Sequence, residues 1–338
     1  MKAIVIKKPG EICIEDRVMP VITASQVLVR VKAAGICGSD VHIYHGKNAF
    51  ATYPRIVGHE FVGEVVSTGA LVTKFSEGNR VVVDPVISCG ECYSCKIGRH
   101  NVCKNLHVMG VHEDGGFQEY VAVEEKQLYI LPDGISWEHA ATIEPYSIAA
   151  QVINRGRLAE GDHVLICGAG PIGLVILQAV KHSGAKVAVM DILDKRLDMA
   201  KNFGADCVIN SKTMNVKEII RNFTNNDGAS LIFEATGNIQ VLETCIHELT
   251  APAGRIVVLG FGQEPASIPQ IDIMSKELDI LGTRLNNHRF PQVLDWFKKG
   301  TVYPEKIISH VFKFEDAEKA FALTKVNPED VCKIVLKF

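Results

Sequence analysis

The stretch His163-Val164-Leu165-Ile166-Cys167-Gly168-Ala169-Gly170-Pro171-Ile172-Gly173 reads as a strand, a tight turn and the opening of a helix. Its apolar run stops at Gly168, and a helix is expected to follow the turn and continue to about Ser183. The turn between them fits G-x-G-x-x-G. Gly168 permits the tight turn, Gly170 lets the backbone approach a pyrophosphate, and Gly173 lets helix and strand pack closely. Pro171 and Ile172 start a helix whose N-terminus attracts phosphate charge. Downstream, Lys186–Asp191 (KVAVMD) is a second strand candidate that ends on an acid, and a helix follows to about Asn202. Further strand candidates stand at Cys207–Asn210, Ser230–Glu234, Arg255–Leu259 and Asp279–Leu281. Strands alternating with helices predict an α/β class with a Rossmann-type, doubly wound parallel sheet.

The acid at the end of the second strand selects the cofactor. Asp191 is placed to hydrogen-bond the adenosine ribose hydroxyls and to repel a 2′-phosphate, so NAD is expected rather than NADP. Arg196, five residues on, softens that preference.

Upstream the pattern differs. The first ~145 residues carry short β-rich runs such as Val27–Val31, Phe61–Val66 and Arg80–Val83, separated by Gly, Pro and Asn, which predicts a barrel-like β unit. Within it, Cys89, Cys92, Cys95 and Cys103 form C-x2-C-x2-C-x7-C. Four thiolates so close suit one tetrahedral zinc and leave no open position, so this metal is structural. An iron–sulfur cluster fits less well: its bacterial run has three residues before the fourth cysteine and a proline after it, whereas Lys104 follows here. Cys13, Cys167, Cys207, Cys245 and Cys332 are scattered and read as small buried hydrophobes.

Composition excludes other classes. Of 338 residues, 47% are hydrophobic and 22% charged, and the net charge is −3 without blocks of either sign, so neither nucleic acid nor an anionic membrane is an expected partner. Val164 to Val180 is nearly all apolar or glycine, but Gly168, Gly170, Pro171 and Gly173 argue against a membrane span. The N-terminal MKAIVIKKPG lacks the features of a secretory signal, and a cytoplasmic location is expected. A length above what one core usually supports predicts two domains.

Cys37, His59, Glu60 and Glu144 each have an ordinary structural reading when taken singly, and spacing alone does not join them. Together, however, GICGSD (Gly35–Asp40), GHE (Gly58–Glu60), the four-cysteine lobe and GAGPIG (Gly168–Gly173) resemble the zinc-containing medium-chain alcohol dehydrogenase family, in order and over essentially the whole chain. The resemblance implies a GroES-like catalytic domain over residues 1–146, an NAD-binding Rossmann domain over 147–282 and a return to the catalytic domain over 283–338. It implies a second, catalytic zinc held by Cys37 and His59, with Glu60 and Glu144 as carboxylate ligands, and hence two zinc ions per subunit. Ser39 matches the family's hydroxyl relay position, and a relay through Ser39, the cofactor ribose and His42 is expected to pass the proton on to solvent. Ala235-Thr236-Gly237, Leu259-Gly260-Phe261 and Thr283-Arg284-Leu285-Asn286 resemble its cofactor contacts. A homo-oligomer, dimer or tetramer, is also implied; Leu278–Gly282 reads either as an edge strand used in pairing or as a strand that simply closes its own sheet.

The alcohol dehydrogenase branch has cysteine where this chain has Glu144, and that departure points to the polyol and threonine branches. Tyr53–Glu60, Asp84–Cys89 and Gly110–Phe117 are similar to a bacterial subgroup of starvation-sensing zinc dehydrogenases. Some of its members act on sugar acids such as L-gulonate or L-galactonate at C5. A hexonate is therefore the expected substrate, with Arg284 and Arg289 as candidate cations for its carboxylate. A sorbitol-like polyol or L-threonine is the alternative. A zinc- and NADH-binding sensing protein is the non-enzyme alternative; it need not keep Cys37, His59 and Glu144, and all three are present. The same three residues oppose a zinc-free quinone reductase, and the dinucleotide turn opposes a zinc hydrolase.

Overall fold

The structure is a computed structural model and describes residues 1–326 and 329–338. The chain forms two compact units. One comprises Met1–Ser147, Asn286–Gly300 and Pro304–Phe338; the other comprises Ile148–Leu285 and Thr301–Tyr303.

The first unit is built on a seven-stranded sheet. In order across it run Leu128–Ile130, Arg80–Val83, Glu60–Thr68, Gln26–Ile36, Lys333–Lys337 and Ile308–Lys313, and Tyr120–Glu124 also pairs with Gln26–Ile36. The Gln26–Ile36 strand shows why. At its start, buried and partly exposed residues alternate, as on a half-solvated strand; from Ala33 to Ile36 every residue is buried. That crowded end uses the small residues Ala33, Ala34 and Gly35, and there it pairs with Glu60 on one side and with the Lys333–Lys337 strand on the other.

The second unit carries six parallel strands in the order Cys207–Asn210, Lys186–Asp191, His163–Cys167, Ala229–Glu234, Thr250–Val258, Asp279–Gly282. Parallel strands covered on both faces need near-continuous apolar runs, and Val164 to Cys167 and Leu231 to Phe233 are fully buried. Strand order reverses between His163–Cys167 and Ala229–Glu234, and ligands of such sheets bind beyond the strand ends at that point. The turns there are tied to the ladder: Gly168 N–H donates to Met190 O (2.7 Å), Ala235 N–H to Cys167 O (3.0 Å) and Leu259 N–H to Glu234 O (2.9 Å).

Two elements depart from the sequence expectation. The fifth strand begins at Thr250 rather than near Arg255, because Ala251-Pro252-Ala253-Gly254 is absorbed into a strand with shifted register. A π-helical turn, Cys245–Leu249, leads into it. Among the scattered cysteines, Cys167, Cys245 and Cys332 are buried, but Cys13 and Cys207 are only half-buried. Among the described residues no helix is long and apolar enough to cross a membrane.

Candidate functional site

Cys37 sits at the junction of the Gln26–Ile36 strand and the short helix Gly38–Tyr44. The fully buried Asp40 organises the junction. Its Oδ2 accepts from the Cys37 N–H at 2.8 Å, and its Oδ1 accepts from the Gly58 N–H at 3.2 Å. The same Oδ1 lies 3.5 Å from His59 Nδ1, an ion-pair distance without hydrogen-bond geometry. One carboxylate thus holds both segments and turns Nδ1 of the imidazole toward itself, which leaves Nε2 for a ligand. Cys37, His59 and Glu60 bring one donor atom each within 4.8 Å of one another. Glu144, in the first turn of the helix Ile143–Arg155, is buried but lies outside that group of three. Burial pushes its carboxyl up to about 8, with His59 opposing and Glu60 adding to the rise. For His59, burial opposes the charged form, but Asp40 and Cys37 outweigh it and raise the imidazole well above its usual value. A half-buried thiol converging with a buried imidazole and a buried carboxylate suits zinc, and the raised imidazole marks an anionic environment that favours a cation.

Glu60 has a partner that no motif indicates. Lys333 Nζ, itself buried, donates to both of its carboxylate oxygens at 2.7 and 2.8 Å, and to Ile36 O at 3.3 Å. Against the cost of burial, Glu60 and Cys37 hold the ammonium well above its usual value. The pair spans the central strand at Gly35, where a Cβ would stand 2.1 Å from Glu60 Oε2. Ser39 lies in the first turn of the Gly38–Tyr44 helix, and its Oγ is buried without a hydrogen-bond partner among the described residues. His42, three residues on, is exposed.

In the four-cysteine lobe the sulfurs of Cys92 and Cys95, Cys92 and Cys103, and Cys103 and Cys89 are 3.5, 3.8 and 3.4 Å apart. Zinc–sulfur bonds of about 2.3 Å at tetrahedral angles require about 3.8 Å, so the lobe fits the metal. The Ser94 hydroxyl and the Lys104 and Cys95 N–H groups pull the Cys92 thiol down to about 5, whereas burial and the neighbouring sulfur of Cys92 push Cys95 up to about 12. Four thiolates cannot share this space without a cation. The returning chain locks the lobe: Asn287 hydrogen-bonds His100 Nδ1 at 2.7 Å and Gly98 O at 2.9 Å, and the His288 and His100 rings stack.

In the second unit, Gly168 adopts φ +99°, Gly170 caps the helix Pro171–Lys181, and a Cβ on Gly173 would stand 1.8 Å from Gly168 O. A Cβ on Gly170 would meet nothing within 4 Å, so the turn opens onto space that a pyrophosphate can occupy. Asp191 is clamped by the Ala169, Ile192 and Leu193 N–H groups at 2.7, 2.8 and 3.0 Å, and Arg196 stands 3.9 Å from it. Ala235 and Thr236, Leu259 and Gly260, and Thr283 follow the ends of three adjacent strands. The buried Thr283 Oγ1 has no hydrogen-bond partner among the described residues. Phe261 is 84% exposed. Leu285 is held at φ +50°, and Arg284 and Arg289 are half-buried. Asp40, Lys333 and Glu234 have no role assigned to them from sequence. Asp40 lies inside the quoted GICGSD and was legible as an acid beside a ligand; Lys333 had no local signal.

Residues 23–133 match the family described as the alcohol dehydrogenase GroES-like domain, and residues 171–299 match the zinc-binding dehydrogenase family. The starvation-sensing protein RspB of Escherichia coli K12 is 45% identical over 100% of this chain and 99% of its own. Sorbitol dehydrogenase of Bacillus subtilis is 33% identical (95% and 92% covered), and L-galactonate-5-dehydrogenase of E. coli K12 is 30% identical (100% and 99%). The crystal structure of the alcohol dehydrogenase rspB of E. coli CFT073, complexed with NADH, superposes with a TM-score of 0.95 at 44% identity, covering 100% of this chain and 99% of that one. The chain belongs to the zinc-type alcohol dehydrogenases, a family of zinc-binding, NAD-dependent oxidoreductases that join a GroES-like domain to a Rossmann sheet.

Proposed function

We propose that the enzyme oxidises a secondary alcohol of a hexonate, L-gulonate or L-galactonate at C5, with NAD as hydride acceptor. The observation that carries the chemistry is the convergence of the half-buried Cys37 with the buried His59 and Glu60, and with the unpartnered hydroxyl of Ser39 on the same junction. Cys37 and His59 hold the catalytic zinc, with Glu60 or Glu144 as the carboxylate, and the four-cysteine lobe holds the structural one. Zinc with an open position lowers the pKa of a bound alcohol, so that the alcohol ionises near neutral pH. Ser39 Oγ takes up the hydroxyl proton as it passes its own to the cofactor ribose, and the exposed His42 hands the relayed proton to water. Gly168, Gly170, Pro171, Ile172 and Gly173 seat the pyrophosphate and Asp191 the adenosine ribose, with Arg196 beside it. Ala235, Thr236, Leu259, Gly260, Phe261, Thr283, Arg284 and Leu285 line the rest of the dinucleotide. Arg284 and Arg289 are the cations we assign to the substrate carboxylate.

The hexonate follows from the subgroup resemblance and from the L-galactonate-5-dehydrogenase relative. The sorbitol dehydrogenase relative supports the second reading, a polyol, with L-threonine beside it. We further assign a homo-oligomer, because Asp279–Gly282 is an edge strand with Ile280 exposed, and a cytoplasmic location, where zinc-binding thiols stay reduced.

NADH formation at 340 nm tests the proposal, with zinc-loaded protein, a panel of hexonates, polyols and L-threonine, and chelated controls. Activity on a hexonate that chelation abolishes is the expected result. Activity on polyols or threonine alone keeps the chemistry and moves the substrate. No activity, despite bound zinc and measurable NADH binding, overturns the enzymatic reading in favour of a sensing protein. In the same assay His42→Ala should turn over more slowly near pH 7 and be partly rescued by imidazole; an unchanged rate removes His42 from the relay.

A further inference from the structure

Glu234 closes the strand Ala229–Glu234 and is 1% exposed. Its Oε1 accepts from the Thr236 N–H at 2.7 Å, from the Gly237 N–H at 3.1 Å and from the Thr236 hydroxyl. That hydroxyl accepts from the Asn238 N–H at 3.0 Å, and the Asn238 side chain in turn caps the helix Ile239–Thr244. Oε1 therefore fixes the whole turn after the strand. Oε2 has no hydrogen-bond partner among the described residues and lies 2.9 Å from where a Cβ on Gly260 would stand. Nor does any Lys, Arg or His among the described residues pair with this carboxylate.

An unneutralised buried carboxylate is costly. Fixing the turn needs only an acceptor oxygen, which a neutral amide supplies equally well. The charge needs a separate reason, and the topology offers one. Asp191 ends the strand on the Cys207–Asn210 side of the switch point, the half of a doubly wound sheet that takes the adenosine. The nicotinamide half then lies beyond the ends of the three strands on the other side. Glu234 ends the first of these and abuts Gly260, just past the end of the second. Of the two redox forms of NAD, only the oxidised one carries a cationic ring; the reduced ring is neutral.

We infer that Glu234 is a positioning residue for the nicotinamide half of NAD and that its carboxylate biases the site toward the oxidised, cationic form. This rests on the assignment of Gly168–Gly173 and Asp191 to NAD. The bias also favours departure of the reduced cofactor once hydride has been transferred.

The test is titration of zinc-loaded protein with NADH, followed by fluorescence, and with NAD by competition. Glu234→Gln keeps an acceptor for the Thr236 and Gly237 N–H groups and removes the charge. Its Kd for NAD should rise at least about tenfold relative to its Kd for NADH, as expected for two unit charges within about 12 Å of each other at an effective dielectric near 20. Glu234→Asp, which keeps the charge, should restore most of the ratio. A purely structural role would lower Tm and move both constants together, and an unchanged ratio overturns the inference while leaving the NAD assignment standing. Wild-type protein that binds neither form overturns both. If the Gln variant does not fold, the wild type can be titrated with NAD and with an uncharged benzamide analogue; equal affinities overturn the inference, and tighter binding of NAD supports it.

Discussion

At Asp84 the fold holds a carboxylate that it would rather keep neutral. The side chain is 5% exposed, and burial raises it to about 6, with the Asn286 amide and the Val86 N–H pulling the other way. Its pKa in the unfolded chain is about 3.9, so the folded form binds the proton more tightly. The resulting stabilisation is complete below about pH 4 and is lost as pH rises through about 6. Both donors converge on Oδ1, at 3.0 Å from Val86 and 3.1 Å from Asn286, so Asp84→Asn keeps an acceptor for each and cannot ionise. Denaturant unfolding should find this variant more stable than the wild type at pH 7, by up to about 3 kcal/mol, with the gap closing toward pH 4. A gap that does not change with pH would assign the gain to something other than the charge. Lys333 presents the opposite case, a buried cation that an acid requires. Lys333→Met strands the Glu60 carboxylate, a loss on the order of 3–5 kcal/mol when nothing replaces the partner. With zinc held as proposed, a replacement cation would stand beside Glu60, so the fall in Tm should be larger in chelated than in zinc-loaded protein. Equal falls would mean that Glu60 does not feel the metal.

At the scale of elements, the metal group depends on strand register. The Glu60–Lys333 pair reaches across the Gln26–Ile36 strand only because position 35 has no side chain. Gly35→Ala should therefore lower both the zinc content, measured by metal analysis, and Tm, even though residue 35 is not a ligand. Full zinc occupancy in that variant would show that Glu60 can move aside without consequence. This dependence also explains what was legible in the sequence. The parallel sheet was, because each strand is a contiguous apolar run that ends at a turn, and Gly168–Gly173 performs its role within one stretch of chain. The four-cysteine lobe was legible for the same reason. The Cys37, His59 and Glu60 group was joined only through family resemblance, since pairing across a sheet leaves no periodicity in sequence. Lys333, nearly three hundred residues from Cys37, enters through that pairing alone, and Glu234 looked like any polar strand end until its three donors were seen.

For the molecule as a whole, the donors for each cofactor fall within one compact unit. The zinc-ligand candidates lie in Met1–Ser147, and the Gly168–Gly173 turn with Asp191 lies in Ile148–Leu285. Protection against amide hydrogen exchange should therefore respond to the two cofactors in different places. A segment that loses its organising ligand opens locally, at a free energy below that of global unfolding. Chelation of the four-cysteine lobe removes the cation that its crowded sulfurs need, so the Lys104 and Asn105 amides, whose N–H groups donate to Cys92 and Cys103 sulfur, should exchange faster. The effect should extend to residues 286–288, because Asn287 and His288 are held by His100 and Gly98 of the same lobe. The buried strands His163–Cys167 and Ala229–Glu234 should keep their protection. NADH should do the reverse, slowing exchange at Ala169 and at Thr236 and Gly237, whose amides are held by Asp191 and Glu234, and leaving Lys104 and Asn105 unchanged. If chelation instead loosens the Rossmann strands as much as the lobe, the structural zinc is holding the whole chain together, and its role is larger than that of the local clamp that the sulfur geometry describes.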